Sequence, residues 1–132
     1  MFSTSVGSAL SAYRNSGYEL VVQAKLEIDG RYPEPDILLV KKINNQGDIS
    51  LSTSDVIYID IKLMTSTTFS DAQNVIVNKV TATTTALAKV YQLDDNVTTL
   101  IGSLRSQNIS IKEVYKLCID PQLNLVLVKY KP

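Results

Sequence analysis

The chain has 132 residues, 45% of them hydrophobic and 20% charged, with 13 basic residues balancing 13 acidic ones. That is one domain's length with enough apolar residues for a core, and it lacks the basic excess on which charge-driven, non-specific nucleic-acid binding depends. The absence of histidine and the presence of one cysteine exclude Ser-His-Asp and Cys-His catalysis, histidine-based ribonuclease chemistry, His-ligated or multi-cysteine zinc, and an internal disulfide.

In chain order, MFSTSVGSAL lacks the positive n-region and long apolar core of a secretory signal. No uncharged apolar stretch approaches the roughly 18 residues of a membrane-spanning helix. Val6, Leu10 and Tyr13 fall at helical spacing within 3–16, and Gly17 suits the position just past a helix end. This short helix, rich in small residues, is expected to pack closely on a sheet. From Tyr18 to Ile28, Tyr18, Leu20, Val22, Ala24, Leu26 and Ile28 alternate with Glu19, Val21, Gln23, Lys25 and Glu27. The alternation predicts one half-buried strand, ended by the turn signal Asp29-Gly30.

Asp36 to Ile43 reads as a second strand, 44–54 as a loop and Asp55 to Met64 as a third strand, together an antiparallel meander. From Ser70 to about Leu93 the period changes, and Ala72, Val75, Ile76, Val80, Thr83, Leu87, Val90 and Tyr91 predict one face of a long helix. Its threonines and valines lower its intrinsic propensity, so burial would have to hold it. Val97, Leu100, Ile101 and Leu104 predict a short helix after the capping run Asp94-Asp95-Asn96. Ile111–Ile119 and Leu123–Lys131 read as a hairpin across Asp120-Pro121-Gln122, and Cys118 within it reads as a small buried hydrophobe. The order α, β, β, β, α, (α), β, β implies a single α/β (α+β) domain, a central mixed sheet flanked by helices.

Two strands carry charges that a core strand does not need. YPEPDILLV begins its apolar run at Pro35-Asp36, and VIYIDIKLM sets Asp60 and Lys62 two residues apart, on one face. A hairpin centred near residue 49 would set Asp36 opposite Lys62 and diagonal to Asp60. Two carboxylates so placed suit a hard divalent cation such as Mg2+ or Mn2+, and a neighbouring ammonium can orient water or hold charge developing on phosphorus oxygens. The same residues also make a plain ion pair at a sheet edge.

Pro35-Asp36, a 23-residue gap and Asp60-Ile61-Lys62 resemble the signature of the PD-(D/E)XK nuclease superfamily. The run-in DGRYPEPDILL and the predicted element order are similar to that family's αβββαβ restriction-endonuclease-like core. The resemblance implies a metal-dependent nuclease acting on DNA or tRNA, with Asp36 and Asp60 as metal ligands and Lys62 as catalytic lysine. Many members add an acid from the first helix, but 3–16 contains none; Glu19 is the nearest substitute, ahead of Glu27 and Glu34. Gln73 falls where some relatives carry a glutamine in the helix after the lysine strand, whereas Ser66 and Thr68 read as helix caps.

A minimal catalytic unit resembles the toxin domain of a contact-dependent growth inhibition system, delivered into a target-cell cytoplasm and neutralised by a cognate immunity protein. A Holliday-junction resolvase, a restriction-type endonuclease, and an inactive interaction domain on the same fold are the alternatives, and these would be cytoplasmic. Lys25, Arg31, Lys41, Lys42, Lys79, Arg105, Lys129 and Lys131 are the pool of groove cations.

Overall fold

The computed structural model describes residues 10–62, 69–119 and 125–131, with Ile119, Leu125 and Lys131 as backbone only. Its elements are α1 (Ser11–Asn15), β1 (Tyr18–Val22), β2 (Lys25–Glu27), β3 (Ile37–Asn45), β4 (Asp48–Leu51), β5 (Val56–Lys62), α2 (Asp71–Lys79), β6 (Ala86–Gln92), α3 (Thr99–Gly102), β7 (Asn108–Ile119) and β8 (Leu125–Lys131). The fold is mixed α+β, built on one sheet in the order β1-β3-β5-β7-β6-β2, with β4 beside β3 and β8 beside β7. The β5–β7 pair is parallel, and every other named pair is antiparallel.

The alternating run after Gly17 is two strands rather than one. Gln23 takes φ +59° and breaks the run. β1 then pairs with β3 at one end of the strand order, while β2 pairs with β6 at the other. A two-residue link joins the two ends of the order, so the sheet must curl on itself. Val21, Ala24 and Leu26 consequently share one core with Leu38, Tyr58, Ala88 and Val90.

The predicted long helix stops at Lys79. Val80 is already extended (φ −87°, ψ 116°), and 86–92 forms β6, with Ala86, Ala88 and Val90 buried and Leu87 and Tyr91 more than half exposed. Thr81, Thr83, Thr84 and Thr85 supply the break: β-branching restricts their side chains in a helix, and Thr81 and Thr84 instead bond to each other in a turn. The predicted loop 44–54 likewise contains β4, which pairs with the end of β3 across Gln46 (φ +56°) and Gly47 (φ +88°), a two-residue turn of the mirror-image kind that hairpins favour.

α2 begins in a capping box. Ser70 Oγ accepts from the Gln73 amide, and Gln73 Oε1 accepts from the Ser70 amide at 2.9 Å. Ile76 and Val77 then pack against Leu38, Val56, Tyr58 and Val114 on one face of the sheet. On the opposite face, Leu10 and Tyr13 cover Leu39, Ile57, Ile59 and Leu117. There the Tyr13 hydroxyl donates to that of Tyr115 at 3.2 Å, and Tyr115 donates to Glu113 at 2.9 Å, which fixes α1 against β7. β7 and β8 pair as predicted; their connection, Ser66, Thr68 and residues 3–9 of the predicted first helix lie outside the described residues. No helix among the described residues is long and apolar enough to cross a membrane.

Candidate active site on β3, β5 and β7

Alternation along β5 sends Val56, Tyr58, Asp60 and Lys62 to the face that α2 covers, where Leu38 of β3 also points. The last β3–β5 pair is Ile37↔Ile59, so the next step aligns Asp36 with Asp60. The register is thus two residues from the predicted one, and a shift of two preserves the face. Asp36 stands across from the other carboxylate rather than across from Lys62.

Pro35 explains how Asp36 is aimed. Proline has no N–H with which to continue the ladder. Where the pairing ends, Asp36 Oδ2 accepts from the Ile61 backbone N–H at 2.7 Å. One carboxylate oxygen is thereby fixed by the backbone of β5, and Asp36 remains exposed beside a shallow cleft of about 560 Å³ lined by Gln23, Glu34 and Pro35.

Asp60 is fully buried. Neither of its oxygens has a hydrogen bond of ordinary geometry among the described residues, and its ion pair with Lys62 Nζ is long, at 3.8 Å. Burial pushes the Asp60 carboxyl up to about 7, against the pull of Lys62 and with the nearby Asp36 adding to the rise. The Tyr58 hydroxyl beside it is also sealed without a hydrogen bond of ordinary geometry, and burial together with the Asp60 and Asp36 carboxylates raises its pKa. Orphaned buried oxygens are rare in folded proteins, because each costs about 1–3 kcal/mol of lost solvation.

Lys62 is partly buried and donates to Gln73 Oε1 at 3.3 Å. Gln73 therefore has two tasks: it closes the capping box of α2, and it ties Lys62 to the helix start. Glu19 is not brought to the pair. It lies opposite Val40, four positions along β3 from Asp36 and so roughly 13 Å away along the strand, and it bonds to Lys42 at 3.9 Å. Glu27 accepts from Tyr32 on the exposed side, whereas Glu34 shares the Asp36 cleft.

Of the groove cations, Lys79 pairs with Asp29, Lys129 with Glu113, and Arg105 donates to the Asp94 carbonyl. Lys116 was not among them, yet the fold brings it into register with Asp60. The parallel register pairs Asp60 with Lys116 and Lys62 with Cys118. Lys116 is 5% exposed, with Nζ 5.0 Å from the Phe69 ring centroid and 4.7 Å from that of Tyr130. Its signal in the sequence was VYKLC, where a lysine occupies the alternate position between Val114 and Cys118, both of which are buried. Among the described residues no group of three acids, histidines or cysteines is arranged to hold a metal, so Asp36 and Asp60 stand as a pair. No protein-family model, curated protein or solved structure matches the chain.

Proposed function

We propose that the Asp36–Asp60–Lys62 cluster hydrolyses phosphodiester bonds in DNA or tRNA with the help of a divalent cation. The observation that carries this reading is the Asp60 carboxylate, buried with neither oxygen in a hydrogen bond of ordinary geometry among the described residues, aligned with a second carboxylate and next to a lysine. A buried charge without donors is unfavourable, and a hard cation is a partner that would relieve it.

The donor set fits Mg2+ or Mn2+. Magnesium is commonly held by one or two carboxylates, its remaining positions filled by water and substrate phosphate, so two acids suffice. Asp36 and Asp60 would hold it, and when bound it polarises a phosphoryl oxygen and makes bound water more acidic. The chain's own residues do the positioning. The Ile61 N–H holds one oxygen of Asp36 and leaves the other for a ligand. Gln73 steers Lys62 toward the cluster, where its ammonium orients the attacking water and holds charge developing on the phosphorus oxygens. In the reaction a water oxygen bonds to phosphorus, the bond to the leaving oxygen breaks, and that oxygen takes up a proton.

The element order α1, β1, β3, β5, α2, β7, with an antiparallel trio followed by a parallel fourth strand, supports a nuclease-like core. On this reading β2, β4, β6, α3 and β8 are additions to it. The setting we infer is that of a toxin domain acting in a recipient cell's cytoplasm, with an immunity protein as its protective partner.

Metal binding is testable without a substrate. A cation bound only by the folded protein raises its stability, by about 2.7 kcal/mol at one hundred times Kd. Mn2+ is expected to raise the wild-type Tm by several degrees and to leave Asp36→Asn unchanged. The Asn side chain can still accept from Ile61, so that variant stays folded. A wild-type Tm indifferent to Mg2+ and Mn2+ would remove the metal from the proposal.

A further inference from the structure

Lys116 is a second ammonium in the same cluster, and its surroundings differ from those of a solvated lysine. It arrives from β7, directly across from Asp60, on the face covered by α2. The Phe69 and Tyr130 rings stand edge to face at 5.0 Å and both receive its charge, while Lys62 Nζ lies 5.4 Å from the same Phe69 ring. Two lysines from neighbouring parallel strands therefore converge on one ring at the start of α2. An ammonium held by two aromatic faces is fixed in place, so its charge acts without the reorganisation that a mobile lysine needs. Tyr130, 48% exposed, is the outer wall of this box.

We propose that Lys116 is a phosphate-binding residue of the site, taking an oxygen of the scissile phosphodiester as charge builds on it. This rests on the hydrolytic reading above and adds the charge balance that reading requires. With both carboxylates ionised, Asp36, Asp60 and Lys62 together carry one net negative charge, unfavourable for receiving an anion that becomes dianionic as hydroxide adds. Lys116 brings the protein's part to neutrality, and a single divalent cation then matches the dianion. A second lysine thus supplies the positive charge that a second metal ion gives in two-metal sites. A lysine serving only as a counter-ion to Asp60 would support the fold but would not act on the substrate.

The test pairs cleavage with anion binding. Lys116→Met keeps the stem and its apolar contact with both rings while removing the charge; Lys116→Arg keeps charge and ring contact. With Mg2+ saturating, and well below the Tm of every variant, Lys116→Met is expected to cut at least 30-fold more slowly, with part of the loss restored in Lys116→Arg. Its Mn2+-induced rise in Tm is expected to match wild type. In metal-free buffer, inorganic phosphate is expected to raise the wild-type Tm and to have no effect on Lys116→Met.

Wild-type cleavage matched by Lys116→Met would overturn the assignment and leave the nuclease reading standing. If wild type cuts nothing, the phosphate arm decides: a stabilisation lost in Lys116→Met keeps an anion site without the hydrolysis, and equal or absent stabilisation overturns the role of Lys116.

Discussion

Asp60→Asn is expected to give a protein that is more stable than wild type and catalytically inert. The wild-type carboxyl titrates near 7 in the fold against an ordinary value of 3.8, with the attraction of Lys62 already included. Between these values the folded chain retains a proton that the unfolded chain has released. Folding stability from this group is therefore complete below 3.8 and is lost as pH rises to about 7. At pH 8 the buried group is charged, and an uncharged amide of the same shape avoids that cost. The gain is expected to be about 2 kcal/mol, or roughly 5–8 °C in Tm for a chain of this length. It should be smaller at pH 5 and vanish only below about 3.8, where the unfolded chain is protonated as well. Thermal denaturation of both proteins without metal, at pH 5 and pH 8, checks the sign. A variant less stable at pH 8 would mean that Asp60 is a needed counter-ion rather than a ligand waiting for a cation.

The second large effect is expected at Lys62. Lys62→Ala should lower metal-dependent cleavage about 10³-fold, the range for loss of a positioned acid–base or charge-stabilising group. KM should change little, because the contact strengthens only as charge develops. Gln73→Ala should reproduce part of the defect by releasing the Lys62 ammonium, and should also loosen the capping box. Single-turnover rates at saturating Mg2+ separate these cases. A Lys62→Ala enzyme impaired only in KM would reassign the lysine to substrate binding.

The central cluster was legible because it depends on alternation within one strand and on one short hairpin. Asp60 and Lys62 share a face by the period of the strand, and an error of two in the register left Asp36 on that face. Pro35-Asp36 stood out in the sequence because a proline has no N–H with which to continue a ladder, and beyond the last pair Asp36 takes the Ile61 N–H.

Long-range pairing was harder to read. The alternation from Tyr18 to Ile28 continues across the break at Gln23, so nothing in the pattern shows that its two halves serve opposite ends of the strand order. Val75 and Ile76 begin a true helical face, and Val80, Leu87, Val90 and Tyr91, all beyond the helix, happen to continue that spacing, which hid the alternation of Ala86, Ala88 and Val90. The capping box Ser70-x-x-Gln73 was present in the sequence and accounts for half of Gln73's role. Lys116 escaped notice because a lysine's burial depends on the rings that meet it in space, and Phe69 and Tyr130 come from distant parts of the chain.

The most direct measurement is a gel of plasmid DNA and total tRNA incubated with wild-type protein in Mg2+, in Mn2+ and with a chelator. The account predicts cutting of one of the two substrates with metal and none with the chelator. Folded protein that leaves both intact in either metal, or that cuts equally well in the chelator, would contradict it.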